Sequence, residues 1–350
     1  MRASRILQAV EAHAEGEPGR VITGGMPLLR GSSVFEKMQD MAANHDEIRL
    51  SMLREPRGNP GLCGNAIVPP CHPEADAGFI IFEQTEYPPM SGSNTICVVT
   101  VLLETGIVPM TEPVTELTLE APAGLIRVKA ECRDGKVTRV EFRNVPAFAM
   151  HLDAQVEVAG MGTVTVDVAW GGMFFVLAGA ETLGVALDAD NGAEIVRVSE
   201  AIRHAAAEQL PVVHPDNPGI SGPSITNLWG APEAEGTHGR GAVTLSTGPF
   251  DPERPQDASG ILDRSPCGTG TCAKMAVLHA RGLLGLGQSY VNAGPLGTTF
   301  TGRIVEETQV GPYQAIVPTL SGQGWIYGLS QYTLDPSDPF PAGYTVGDMW

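Results

Sequence analysis

Two stretches decide how this chain is read: SGSNTICVVTVLLETGIV over residues 91–108 and CGTGTCAKMAVLHARGLL over residues 267–284. Laid over each other, Gly92 falls on Gly268, Thr95 on Thr271, Val101 on Val277, Leu102 on Leu278 and Gly106 on Gly282. Their separation is about half of the 350-residue chain. Each copy reads as a small polar nucleophile, a Gly-rich turn, and an apolar helix closed by glycine. Such a segment sets one hydroxyl or thiol at a helix N-terminus, beside backbone N–H groups that lack intrahelical partners. Two copies facing one another would hold an anion with a proton-handling group on either side. The two groups differ: Ser91 in the first copy, Cys267 in the second.

Working outward, the helices are few and the strands many, so the expected class is α+β with two halves. RILQAVEAHAEGEPGRVITGG reads as strand, acidic turn, strand. Residues 33–52 have helical spacing through Phe35, Met38, Met41 and Ile48. Residues 54–73 are rich in Gly and Pro and read as a loop, and GFIIFEQ (78–84) as a strand. Residues 117–145 alternate around the turn Arg133-Asp134-Gly135 and read as a hairpin series, continued over 156–179. Residues 190–209 read as an amphipathic helix with Ile195, Val198, Ile202 and Ala205 on one face and Asp190 as N-cap. A Pro/Gly-rich connection, a strand near 242–245, the second copy and further strands follow, with coil from Asp335. The expected domains are 1–137, joined by strands over about 327–350, and 138–326, related by internal twofold repetition.

An apolar fraction of 43% is ample for a packed core. The net charge of −18 argues against nucleic acid and anionic membrane surfaces as partners. The start MRASRILQAVEAHAEGEPG lacks the apolar core of a signal peptide, and no apolar run approaches the ~20 residues of a membrane span, so a cytoplasmic location is expected. The six cysteines (63, 71, 97, 132, 267, 272) are scattered and contain no CxxC pair. Reduced thiols and no metal site are expected, with Cys97 and Cys132 as small core residues.

Cys267 stands in DRSPCGTGT. A free thiol has a pKa of about 8.5, and a helix N-terminus can lower it by favouring thiolate, a suitable base for a weakly acidic proton. Gly268, Thr269 and Gly270 leave backbone N–H groups open to a carboxylate and to the charge that develops when its neighbouring carbon loses a proton. Ser91, in PPMSGSNT, is most plainly an N-cap serine; its correspondence to Cys267 gives it the second reading. Serine donates or relays a proton more easily than it begins an abstraction. Asp263 could orient the nitrogen of an amino-acid substrate or pair with Arg264. Trp170-Gly171-Gly172 could approach a ligand or turn a strand end. His13, Glu15 and Glu17 read as a polar loop, and His204 and His279 as structural histidines. There is no P-loop or dinucleotide fingerprint.

HAEGEPGRVITGG (13–25), EPRGNPG (55–61), MSGSNTICVV (90–99), FRNVPAF (142–148), AWGGMFFV (169–176) and DRSPCGTGT (263–271) resemble the proline racemase superfamily, in its order and through most of the chain. The resemblance implies a diaminopimelate epimerase-like fold: two α+β domains, each a barrel-like sheet around a central helix. It implies chemistry without a cofactor at the α-carbon of proline or hydroxyproline. By position, Ser91 and Cys267 match the catalytic pair. Gly92 and Ser93 match the amides after the first, and Asp263, Gly268 and Thr269 match substrate-contacting residues around the second. Proline racemases usually read Cys-Gly-His where this chain has Ser91-Gly92-Ser93. The Ser/Cys pairing is similar to hydroxyproline 2-epimerases, while Cys/Thr is typical of trans-3-hydroxy-L-proline dehydratases. Residues 231–241 look like an insertion.

The leading expectation is therefore a two-base 1,1-proton transfer on 4- or 3-hydroxyproline, an isomerase reaction of amino-acid catabolism. Dehydration of trans-3-hydroxy-L-proline needs only one base and fits the same pair. Proline racemization and a non-catalytic imino-acid binder are the remaining readings. A small imino acid is the expected partner, with a homodimer as the candidate assembly.

Overall fold

The structure, a computed structural model, describes residues 3–347. It contains two compact units: the chain up to Phe142 together with the segment from Gly322 onward, and Arg143–Ser321. The expected limits at 137 and 326 fall inside strands a few residues away.

The first unit begins with β1 (Arg5–Ala14) and β2 (Glu17–Gly24), then α1 (Val34–Asn44) and α2 (Asp46–Leu53). It continues through β3 (Cys63–Val68), β4 (Ala77–Phe82), α3 (Gly92–Glu104), β5 (Val114–Ala121), β6 (Gly124–Arg133) and β7 (Lys136–Arg143). The second unit holds β8 (Ala147–Val158), β9 (Gly162–Trp170), β10 (Phe174–Gly179), α4 (Ala180–Leu183), α5 (Gly192–Gln209), β11 (Val212–His214) and β12 (Asn217–Gly222). It ends with β13 (Ile225–Gly230), β14 (Gly239–Ser246), β15 (Gly260–Leu262), α6 (Gly268–Ala280), β16 (Ser289–Ala293), β17 (Thr299–Val310) and β18 (Tyr313–Gly322). β19 (Gly324–Leu334) returns to the first unit and pairs antiparallel with β1.

The duplication seen in the sequence extends to the pairing of strands. From β19 through β1, β2, β3, β4, β5, β6 to β7 the neighbours run antiparallel, antiparallel, parallel, antiparallel, parallel, antiparallel, antiparallel. From β8 through β9, β10, β13, β14, β16, β17 to β18 the same succession recurs. In the second unit β18 also pairs with β8, which closes the strands into a barrel and leaves that ring without an edge.

Strand parity sorts the core into two layers. Along β10, Phe175 and Leu177 pack with Ala273 and Val277 of α6, while Val176 and Ala178 pack with Ile195, Val198 and Ile202 of α5. α6 is thus the inner helix and α5 the outer. In the first unit α3 packs on β1, β2, β3 and β19, while α1 and α2 supply Val34, Met41, Ile48 and Met52 to the other face of the sheet. Every residue of α3 from Gly92 to Leu103 is buried, and so is every residue of α6 from Gly268 to Val277. Helices apolar on all sides are stable only when surrounded.

Several elements differ from expectation. The single helix over 33–52 is two, because His45 leaves the helical region at φ −142°, ψ 22°. Ser33 caps the first through Glu36 N, and Asp46 opens the second in an ion pair with Arg49. Asp190 lies in a 3₁₀ turn (Ala189–Asn191), and Asn191 takes the N-cap position of α5. The loop expected over 54–73 contains β3, and the connection after α5 contains β13; both are interior strands, paired on both sides. Their short apolar runs carry Gly, Asn and Thr, which hid them. Gly64 is required in β3, since a Cβ there would lie 2.1 Å from the Phe82 ring.

Candidate active site

Ser91 is the N-cap of α3 with an ordinary extended backbone, φ −148° and ψ 128°. Its carbonyl accepts from Thr95 N at 3.0 Å and from Thr95 Oγ1 at 2.7 Å, which fixes the first turn. Its hydroxyl makes no side-chain cap to the backbone. Asn94 Nδ2 donates to Ser91 Oγ at 3.0 Å, and Ser93 Oγ lies 3.5 Å away. The first amides of the helix, including those of Gly92 and Ser93, have no intrahelical acceptor.

Cys267 occupies the same place on α6 with a different backbone. Its φ of 58° and ψ of 113° lie in a region that L-residues rarely adopt. Such a conformation costs on the order of 1–3 kcal/mol and persists only where its surroundings over-determine it. Here they do. Ser265 Oγ accepts from Cys267 N at 3.1 Å, and Cys267 O accepts from Thr271 N at 2.9 Å. Thr271 Oγ1 and Asn292 Nδ2 both donate to Pro266 O, at 3.1 and 3.0 Å. Asp263 Oδ1 accepts from Ser265 N and Ser265 Oγ, both at 2.8 Å, tying its carboxylate into the same turn. Arg264 donates to Leu262 O at 2.7 Å. Asp263, Cys267, Gly268 and Thr269 are therefore gathered at one helix start.

Cys267 is 7% exposed. Gly270 N donates to Sγ at 3.4 Å and Thr269 Oγ1 lies 3.8 Å from it; both favour thiolate. Burial and the Asp263 carboxylate oppose them and push the Cys267 thiol well above the ordinary range. The helix start alone favours thiolate, but burial and the neighbouring charge outweigh the local amides.

Two residues escaped the sequence reading. Asn65, third in β3, and Asn227, third in β13, occupy matching positions and point toward the inner helix of their own unit. Asn65 Nδ2 donates to Asn94 Oδ1 at 2.6 Å, and Asn227 Nδ2 to Gly270 O at 3.4 Å. Asn94 and Gly270 coincide when the two stretches are aligned. Buried asparagine in an otherwise apolar strand was the available signal.

Gly171 turns a strand end and makes a close approach, but to α6: a Cβ there would lie 2.2 Å from Thr269 O and 2.5 Å from Ala273 N. Asn144, from FRNVPAF, donates to Gly171 O at 2.8 Å. In HAEGEPGR, Glu15 turns the β1–β2 hairpin at φ 48° and accepts from Gln323 N, while His13 stacks on Trp325 at 5.1 Å. Glu17 is only 3% exposed rather than solvated. His279 Nδ1 meets Leu284 O at 2.9 Å, a helix-end contact. All six cysteines are free thiols. Within 231–241, Arg240 pairs with Glu233 and Asp188, anchoring the loop before β14.

Comparison with known proteins places the whole chain in one family. The proline racemase family model matches residues 9–345. The chain is 42% identical over 346 residues to a 4-hydroxyproline 2-epimerase of Streptosporangium roseum, covering 99% of this chain and all of the relative. A probable proline racemase from Agrobacterium radiobacter K84, solved with bound carbonate, is 38% identical with a TM-score of 0.90, covering 98% of each chain. A hydroxyproline epimerase from Agrobacterium vitis, solved with trans-4-hydroxy-L-proline, is 36% identical, also at 0.90, covering 100% of this chain and 98% of that one. A Bacillus anthracis protein of the PhzF family, 11% identical at a TM-score of 0.57, shares the fold alone over 93% of this chain and 99% of its own. The expected diaminopimelate epimerase-like architecture therefore holds, and the chain belongs to the proline racemase family.

Proposed function

We propose that the protein is a cofactor-independent hydroxyproline 2-epimerase, with Cys267 and Ser91 as its proton-transfer pair. The observation that carries the reading is the duplicated helix start with unlike groups: a buried thiol on a strained N-cap in one copy, a hydroxyl in the other. The Streptosporangium roseum relative and the ligand of the Agrobacterium vitis structure support a 4-hydroxyproline substrate.

An imino acid brings a carboxylate and a protonated ring nitrogen. The carboxylate would sit on the free amides of Gly92, Ser93, Gly268 and Thr269, where N–H dipoles also receive the charge that spreads from Cα as its proton leaves. The ring nitrogen would face Asp263. Burial and then the Asp263 carboxylate hold the Cys267 thiol up, and the positive charge of the ring nitrogen would offset the second of these. Cys267 then takes the proton from one face of Cα and Ser91 returns one to the other. The cycle leaves a thiol and an alkoxide, which exchange protons with solvent to reset. In the reverse direction Ser91 is the base.

The test is ¹H NMR of the purified protein with proline and hydroxyproline isomers in heavy water. The expected result is loss of the Cα–H signal of trans-4-hydroxy-L-proline with formation of cis-4-hydroxy-D-proline. An imine without epimer would establish the dehydratase instead. Binding without deuterium at Cα of any isomer would leave a non-catalytic binder. Light scattering decides whether the working assembly is a homodimer, and fractionation decides the cytoplasmic location. Among the described residues no helix is long and apolar enough to cross a membrane.

A further inference from the structure

We propose that Asn94 is a positioning residue for Ser91, holding the serine oxygen by a side-chain N–H that stabilises the negative charge it carries while exchanging a proton with Cα. The inference rests on the role proposed for Ser91 above.

The two helix starts solve one problem differently. At the second, the donor to the reacting atom is the backbone amide of Gly270, 3.4 Å from Sγ. Glycine suits that position, because a Cβ there would stand 3.1 Å from Sγ. At the first, the aligned residue is Asn94, and Ser91 Oγ takes no backbone cap. The donor is instead Asn94 Nδ2 at 3.0 Å. Asn94 is 1% exposed, and its far end is fixed by Asn65, itself fully buried, whose Nδ2 reaches Asn94 Oδ1 at 2.6 Å. The chain Asn65–Asn94–Ser91 therefore aims a preorganised N–H at the oxygen.

The chemistry calls for it. A thiol ionises near neutral pH with modest help, whereas a serine alkoxide is not populated there without activation. A hydrogen bond to an ionised acceptor is roughly twice as strong as one between neutral groups, so this contact grows as the proton leaves oxygen. It assists donation and abstraction alike, since both directions share one transition state.

The test is a double-variant cycle read by epimerization in heavy water. Asn94→Gly, which copies the residue at the second start, should lower kcat about 100- to 1,000-fold in both directions, the range for losing one oxyanion donor, with KM little changed. In a Ser91→Cys background the same change should cost less than about threefold, because the thiol needs no such donor. Equal cost in both backgrounds, or a rise in KM with kcat preserved, overturns the proposal. If Asn94→Gly misfolds or Ser91→Cys is inactive, Asn65→Ala carries the test: it frees the far end of Asn94 and should lower kcat per folded molecule with KM held, even as the melting temperature falls. Its kcat remaining at the wild-type value refutes the relay. A wild-type protein that exchanges no Cα hydrogen sinks the epimerase reading; one that epimerises with an additive cycle sinks only the role of Asn94.

Discussion

Gly171→Ala isolates the packing that seats Cys267. The glycine's φ lies outside the left-handed region, so alanine meets no backbone penalty there. The conflict is steric and involves backbone alone: the new Cβ would stand 2.2 Å from Thr269 O, 2.5 Å from Ala273 N and 3.1 Å from Ala273 Cα. Ordinary contact begins near 3.4 Å, so the strand end and the start of α6 must separate by on the order of 1 Å. Neither can rotate away as a side chain would. Overpacking of this kind costs about 1–3 kcal/mol, and a 1 Å misplacement of reacting groups costs about 100-fold in rate. The thermal melt should fall by roughly 2–4 °C per kcal/mol for a unit of this size. Epimerization should fall further than the loss of folded protein explains. A variant with unchanged melting temperature and unchanged kcat/KM would refute the placement of Gly171 against the helix start.

Other substitutions probe the chemistry separately. Cys267→Ser should remove nearly all epimerization with little change in melting temperature; retained activity would show that the thiol is not the base. Asp263→Asn removes the charge that, after burial, holds the Cys267 thiol up, so iodoacetamide should label Cys267 faster at pH 7–8 in the variant while KM for the imino acid rises. Labelling at the wild-type rate would remove Asp263 from that role. Lys274 lies on α6 inside the barrel of the second unit, 4% exposed, with Nζ 3.2 Å from the centre of the Trp229 ring, and burial lowers its pKa to about 8 despite the nearby Asp167. Its charge therefore penalises folding while both states are protonated, below pH 8. The penalty lifts as pH rises from about 8 toward the unfolded value of 10.5. Relative to Lys274→Met, the wild type should gain stability across that interval and nowhere below it; a difference independent of pH would contradict the lowered value.

By itself the sequence determined the two helix starts, their unlike groups and the α+β class. These are local patterns: a Gly-rich turn before a helix apolar on every side, and strands that alternate or run apolar. Tertiary structure alone decided the rest. It showed β3 and β13 as interior sheet strands, because pairing on both sides overrides glycine and asparagine content. It placed Asn65 behind Asn94 and Gly171 against α6, contacts between residues tens of positions apart. It also set the direction in which the thiol's pKa moves. Residues beside Cys267 in the chain argue for thiolate, but burial by the surrounding barrel and the fixed carboxylate of Asp263 argue against it. An ionisation constant is set by the whole environment of a group, and only the folded chain assembles that environment.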